Sequence, residues 1–254
     1  MPLTTASDWH LRYTQQAKWT HDLRAYLYQR AGLEEGLSVL DVGCGTGVLL
    51  DELSSRGLIC YGLDIDNTHL VLAVNNAGKG RFTQADAHSL PYTPDTFNLV
   101  LCHFLLLWLA DPTRMLAEAV RVTKPGGVVL ALAEPDYGGR IDYPDSMAAL
   151  GKWQTESLRK QGADPFMGRQ LRALFHQAGL GNVETGVLGG QWSDTHDWEA
   201  WESEWQVLES DFSKLAGKDQ TEELLNIKNQ ERSAYQNKER VLFVPTFYAW
   251  GIVS

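Results

Sequence analysis

Cysteine is scarce, with three in 254 residues and no C-x-x-C pair among them. Cys44, Cys60 and Cys102 each sit in or beside a strand-like apolar run, so they read as reduced, buried thiols. A disulfide or zinc framework is not expected. Basic residues are also few, 22 against 32 acidic ones, giving a formal charge of −10. A nucleic-acid footprint needs a basic face, so that class of partner is not expected and the charge serves solubility. Met1 to His10 contain no apolar core of a secretory signal. The longest apolar run, Leu99 to Ala110, is interrupted by His103 and is too short to span a bilayer. Internal repeats and low-complexity linkers are absent. These absences leave a soluble, cytoplasmic chain, long enough for one domain (1–254) with a full core.

What is present is concentrated in Asp41-Val-Gly43-Cys-Gly45-Thr-Gly47. Val39-Leu40 before it reads as a buried strand, and the glycines permit a tight turn and close approach to a ligand. Val48, Leu49, Leu50 and Leu53 then open a helix whose first N–H groups point back at that ligand. The motif therefore predicts a nucleotide-type cofactor cradle. Its spacing is G-x-G-x-G, and Asp64 closes the second strand 21 positions after Gly43. A dinucleotide site would show G-x-G-x-x-G with an acid at about 20 residues, so this pair alone leaves the cofactor open.

Strand-like and helical runs alternate through the first half. Strands are expected at Leu37–Asp41, Ile59–Asp64, Arg81–Ala85, Phe97–Cys102 and Val128–Glu134. Helices are expected at about 13–31, 46–56, 67–77 and 111–123, the last started by Asp111 as N-cap and Pro112 at the first helical position. Alternation of this kind predicts an α/β fold, a mostly parallel sheet with helices on both faces. Beyond it, helices at 144–161 and 168–179, a strand at Asn182–Leu188 and a last strand at Val241–Val253 are expected. The polar, Trp-rich stretch 191–239 reads as a helical cap inserted before that last strand.

Three further pieces decide the cofactor: Asp86-Ala87-His88-Ser89-Leu90-Pro91-Tyr92 after the third strand, Phe97-Asn98-Leu99-Val100 opening the fourth, and Lys124-Pro125-Gly126-Gly127 turning into the fifth. With the glycine motif, in this order over residues 37–135, the chain resembles the class I S-adenosylmethionine-dependent methyltransferases. Within them it is similar to the small-molecule group of ubiquinone and menaquinone biosynthesis. The resemblance implies a Rossmann-like, mostly parallel seven-stranded sheet, with 1–36 as an N-terminal helical segment, 37–135 as the cofactor core and 136–254 as the substrate side. It implies S-adenosylmethionine as cofactor and S-adenosylhomocysteine as product. Backbone amides at Gly43 and Gly45 would meet the methionyl part and Asp64 both ribose hydroxyls. Asp86 would take the adenine amino group and the Ala87 backbone a ring nitrogen. Asp41 would fix the cradle by local hydrogen bonds, and Cys44, Ile65 and Cys102 would complete the cofactor wall. Asn98 departs from the usual Asp, at the strand end opposite the site.

Methyl transfer from a sulfonium is an in-line displacement that needs alignment and a dry pocket more than a catalytic triad. The fourth strand's end, Cys102-His103-Phe104, lies where such enzymes place groups beside the transferable methyl. His103 is the base candidate, because an unperturbed imidazole titrates near working pH. The alternative is that it orients cofactor or caps the next turn. Phe104, Tyr137 and Arg140 are the other substrate-pocket candidates, Arg140 for an anionic acceptor. Asp136, Asp142 and Asp145 invite a metal, but metal-dependent O-methyltransferases carry a carboxylate where this chain has Cys102, so no metal is expected. Trp198, Trp201, Trp205, Leu208 and Phe212 recur at 3-4-3-4 spacing on one helix face. They read as packing for the cap, with a lid over an apolar or aromatic acceptor or a dimer seam as alternatives. The resemblance implies a small organic molecule as acceptor, methylated at oxygen, carbon or nitrogen. A rival reading of another class is a non-catalytic module that binds the cofactor and acts through a protein partner.

Overall fold

Short apolar runs become β1 (Ser38–Val42), β2 (Ile59–Asp64), β3 (Arg81–Gln84), β4 (Phe97–Cys102) and β5 (Thr123–Pro135). In this computed structural model, which describes residues 5–78, 80–190, 196–215 and 220–254, these strands pair in parallel. β9 (Thr246–Ile252) enters antiparallel between β5 and β7 (Gly181–Leu188), for a seven-stranded order β3-β2-β1-β4-β5-β9-β7. A central parallel strand is covered on both faces, which is why these runs are apolar rather than alternating. Leu40, Val42, Val100 and Cys102 pack with Leu116, Ala119, Leu171 and Phe175 on one side. Val39, Leu99 and Leu101 pack with Leu27, Tyr28, Leu50 and Leu53 on the other. Strand order reverses between β1 and β4, and the crevice beyond their carboxyl ends is where such sheets receive ligands.

Helices α3 (Val48–Ser55), α4 (Asn67–Asn76) and α5 (Pro112–Val122) lie between the parallel strands as expected. Asp111 caps α5 by accepting from the Arg114 amide at 3.0 Å, with Pro112 at its first turn. The helix expected over 13–31 is instead two, α1 (Ala6–Trp19) and α2 (His21–Arg30). α1 starts earlier because Thr5 and Asp8 form a reciprocal capping box. It ends at Thr20, whose backbone leaves the helical region and whose amide caps the Ala17 and Lys18 carbonyls. The expected last strand is also two. β8 (Val241–Phe243) pairs antiparallel with β6 (Ile141–Tyr143) in a separate ribbon. Pro245, which has no amide to give a ladder, separates β8 from β9.

After β5 come α6 (Ala148–Lys160), α7 (Leu171–Gln177), α8 (Trp198–Leu215) and α9 (Gln220–Gln236). Trp201, Trp205 and Leu208 are buried with Met147, Leu150, Leu224 and Ile227 in a core of their own. Trp198, 38% exposed, edges the cluster, and the side chain of Phe212 lies outside the described residues, as do 191–195 and 216–219. The stripe is thus cap packing. Arg140, Asp142, Arg240 and Glu231 form a buried charge chain through this cap. Arg140, expected to meet an anionic acceptor, has its charge matched within the fold: its guanidinium lies bidentate on Asp142 at 2.6 and 2.9 Å and also holds Gln154. Asp136 likewise faces a guanidinium, that of Arg169 at 2.5 and 2.7 Å. Among the described residues no helix is long and apolar enough to cross a membrane, and no group of three or more His, Cys, Asp or Glu is placed to hold a metal.

Candidate functional site

At the end of β1 the chain turns through Gly43 (φ +73°), Gly45 (φ +52°) and Gly47 (φ +80°), then enters α3. The left-handed conformations explain why glycine alternates here. Space is a second reason, because a Cβ on Gly43 would lie 2.7 Å from Leu105 Cδ1, and one on Gly45 2.8 Å from the Tyr13 ring. The amides of Gly43, Cys44 and Gly45 bond within the fold. Gly43 and Cys44 N–H both donate to the Leu63 carbonyl (2.7 and 3.0 Å), and Gly45 N–H donates to Asp64 Oδ2 at 2.8 Å. The Gly43 and Gly45 amides, expected to meet the methionyl part of a cofactor, here tie the turn to β2. Asp64 Oδ1 takes the Asp66 amide at 2.9 Å, so each carboxylate oxygen keeps further acceptor capacity.

This turn floors a cavity of 340 Å³ lined by Asp41, Gly43, Cys44, Gly45, Asp64, Ile65 and Asp66, by Trp9, Tyr13, Gln16 and Ala17 of α1, and by His103, Phe104, Leu105 and Trp108 beyond β4. Asp41 is 2% exposed, and its Oδ1 has no hydrogen-bond partner. The local hydrogen bonds expected of Asp41 are thus missing at that oxygen. Burial, and then the Asp64 charge, raise its carboxyl well above the usual range, with Arg24 opposing. A buried acceptor left unmatched costs about 1–3 kcal/mol, so its place in a cavity wall points to a ligand donor.

α1 is the part of the site that the sequence reading missed. His10 Nδ1 meets Thr46 Oγ1 at 2.8 Å, Tyr13 stacks on Trp9, and Gln15 donates to the Ala200 carbonyl of α8 at 3.2 Å, beside an Arg12–Glu204 ion pair. The signals were there: a Thr5-x-x-Asp8 capping box, then Trp9, Tyr13 and Ala17 at i, i+4 spacing. Burial, Asp64 and Asp66 push the Tyr13 phenol above its ordinary range, so it stays neutral.

The far wall hangs on a residue that also went unread. Glu134, fully buried at the end of β5, accepts from the Leu105 and Leu106 amides at 3.0 and 2.8 Å through Oε1 and from Leu107 at 3.2 Å through Oε2. It thereby holds the turn that presents Phe104 (φ +53°), Leu105 and Trp108. Burial pushes its carboxyl up to about 7 despite those three amides. A raised folded pKa means the folded state holds the proton more tightly. The group's favourable contribution is complete below the unfolded value near 4.5 and lost as pH climbs through 7, about 3 kcal/mol across that window. Urea titrations should show Glu134→Gln with a flatter stability profile between pH 4.5 and 7 than wild type. Parallel profiles would refute this account of Glu134.

His103 lines the same cavity, with Nε2 3.0 Å from Thr20 Oγ1. Burial and Arg24 pull its pKa down to about 3, so the premise that it titrates near working pH is corrected. Cys102 packs in the sheet core outside the cavity lining, its thiol raised by burial. Asp86 and Ala87 also lie outside that lining. Asp86 is exposed, and its Oδ1 takes the His88 amide at 2.8 Å and Nδ1 at 2.7 Å, which hold its carboxyl below the usual range. Tyr137 and Arg140 line a separate, open groove with Lys152 and Phe166. The fold therefore gathers Asp41, Gly43, Cys44, Gly45, Asp64, Ile65, His103 and Phe104 into one cavity and leaves Asp86, Ala87, Cys102, Tyr137 and Arg140 outside it.

Residues 40–131 match the methyltransferase domain family. The demethylmenaquinone methyltransferase of Bacillus subtilis (strain 168) is 30% identical over 207 residues, covering 73% of this chain and 87% of that one. The enzyme of the same description from Lactococcus lactis is 33% identical over 193 residues, covering 67% and 76%. The fold is shared with Haemonchus contortus phosphoethanolamine N-methyltransferase 2, solved in complex with S-adenosyl-L-methionine: TM-score 0.60 and 16% identity over 91% of this chain and 52% of that one. It is shared equally with the [4+2]-cyclase SpnF, TM-score 0.58 and 20% identity over 92% and 82%, so the fold alone does not fix the chemistry.

Proposed function

The chain belongs to the class I S-adenosylmethionine-dependent methyltransferases related to those of quinone biosynthesis, and from that premise we propose that it methylates a small, quinol-like aromatic acceptor in the cavity between the glycine turn and α1. The observation that carries this reading is the pairing, in one cavity, of the Asp64 carboxylate with the unpartnered Oδ1 of Asp41. The donor set fits the cofactor: a diol for Asp64, an ammonium for the unpartnered Asp41 oxygen, and a cationic centre drawn to the carboxylates of Asp64 and Asp66. When bound, the cofactor supplies an electrophilic methyl group on a sulfonium.

The chain's own residues bind, orient and exclude water. Asp64 keeps free lone pairs for the two ribose hydroxyls while its backbone bonds hold it in place. Asp86 keeps a second carboxylate oxygen for the adenine amino group, outside the cavity and open to solvent. Residues 37–135 thus hold the cofactor, the 1–36 helices close over it, and the cap at 191–239 braces α1 through Glu204 and Ala200. Trp9, Tyr13, Phe104, Leu105 and Trp108 surround the reacting end with apolar and aromatic surface, which suits a planar acceptor and keeps water out. That wall offers no cation to an anionic acceptor. With His103 held neutral, no general base is assigned, and an acceptor that is a good nucleophile without losing a proton first, such as a neutral quinol reacting through ring carbon, fits best.

Calorimetric titration with S-adenosylmethionine and S-adenosylhomocysteine tests the cofactor half, with affinity on the order of micromolar expected. A turnover screen of reduced naphthoquinones and benzoquinones against phosphorylated amines tests the acceptor half. Methylation of the amines alone would overturn the quinol assignment. Cofactor binding without turnover on any acceptor, together with stoichiometric capture of a protein partner, would mark an accessory module instead.

A further inference from the structure

Thr20 is fully buried at the joint of α1 and α2, and its hydroxyl is the meeting point of three groups. Arg24 Nη1 donates to Oγ1 at 2.5 Å. His103 Nε2 lies 3.0 Å away, whereas the carbonyls open to the hydroxyl hydrogen, Ala17 and Gln16, lie at 3.4 and 3.5 Å. The Ala17 carbonyl already takes Arg24 Nη1. Arg24 is in turn fixed by Glu52 Oε2, at 3.0 Å from Nε and 2.5 Å from Nη2. A chain of polar contacts thus runs Glu52–Arg24–Thr20–His103 and ends on a ring that lines the cavity.

The hydroxyl has one hydrogen to place. Accepting from a guanidinium polarises the O–H and makes it a stronger donor. Its nearest acceptor is Nε2, and a bare Nε2 lone pair facing the Arg24 cation is electrostatically better than an N–H facing it. Nδ1, which has no hydrogen-bond partner among the described residues, then carries the ring proton. We propose that Thr20 is a positioning residue that fixes His103 in the Nδ1–H form, so that His103 presents a hydrogen-bond donor, not a base, to the acceptor in the cavity. The donor role rests on the methyl-transfer reading of the cavity; the tautomer does not. The proposal also makes the α1–α2 joint part of the site, because the helix that closes the cavity ends on the residue that orients the imidazole.

The test is the long-range proton–nitrogen spectrum of ¹⁵N-histidine-labelled protein near neutral pH, with the His103 signals assigned from their absence in His103→Gln. A protonated-type Nδ1 and a bare-type Nε2 are expected in wild type and in Thr20→Ser, which keeps the hydroxyl. In Thr20→Val, which keeps the shape without the hydroxyl, the protonated-type signal should shift to Nε2 or average between the two nitrogens. Wild type in the Nε2–H form, or a Thr20→Val spectrum unchanged from wild type, would overturn the proposal. The wild-type spectrum is decisive even if Thr20→Val does not fold. S-adenosylhomocysteine titrated into the same samples separates the two readings: no binding removes the methyl-transfer assignment and leaves the tautomer to the spectra.

Discussion

Asp64→Ala is expected to weaken S-adenosylhomocysteine binding by about 100-fold or more, read by calorimetric titration of folded protein. The magnitude follows from two charge-assisted hydrogen bonds of about 1.5–3 kcal/mol each to the ribose diol, at about 1.4 kcal/mol per tenfold. The alanine also orphans the Gly45 and Asp66 amides that Asp64 now accepts, so part of the loss would come from a loosened turn. Asp64→Asn keeps the shape and one acceptor oxygen and should fall between the two. The direct component is isolated with 2′- or 3′-deoxy S-adenosylhomocysteine. Wild type should lose affinity for these analogues, whereas Asp64→Ala should bind them as it binds the parent compound. Equal losses in both proteins would mean that Asp64 shapes the turn without touching the ribose.

Arg240→Met is expected to lower the melting temperature by roughly 6–20 °C, the largest stability effect we foresee. Arg240 is buried between two carboxylates, Nε to Glu231 Oε1 at 2.8 Å and Nη2 to Asp142 Oδ1 at 2.7 Å, and it also donates to the Val241 carbonyl at 2.6 Å. Asp142 would keep Arg140, but among the described residues Glu231 would keep only the Trp201 and Trp205 indole N–H groups, at 3.0 and 2.6 Å. A buried carboxylate stripped of its cation costs about 3–5 kcal/mol, and a chain of this length shifts by about 2–4 °C per kcal/mol. Because the loss comes from leaving one charge alone, the double variant Arg240→Met, Glu231→Leu should recover much of it. Tryptophan fluorescence reports the transition, since Trp201 and Trp205 sit on Glu231. A single variant within about 2 °C of wild type would mean that the chain of charges contributes no net stability.

Much of the architecture was legible because its signals are local. The β2 and β4 boundaries were anticipated to the residue, since apolar runs between turn residues mark buried parallel strands. The Asp111-Pro112 start of α5 follows from capping chemistry alone. The glycine turn and Asp64 were readable for the same reason: left-handed backbone and a strand-ending carboxylate leave a mark within a few residues. What failed was long-range. Whether the Gly43 and Gly45 amides face a ligand, or the Leu63 carbonyl and the Asp64 carboxylate, depends on how β1 pairs with β2. Arg140 was free on paper and is bound to a carboxylate two residues away once the β6–β8 ribbon forms. The base role of His103 rested on an unperturbed imidazole, and the fold supplies the burial and the Arg24 cation that perturb it.

By itself, then, the sequence determined the parallel sheet, the cofactor cradle at the end of its first strand and the family those features resemble. Each is encoded in contiguous residues whose backbone preferences and apolar period act at short range. Only the tertiary structure decided which groups share the cavity, that α1 closes it, that Glu134 suspends its far wall and that Arg24 and Thr20 reach His103. Those outcomes depend on side chains tens of residues apart meeting in a desolvated space. There, burial and the nearest charge set protonation and hydrogen-bond direction, and neither exists in the chain until it has folded.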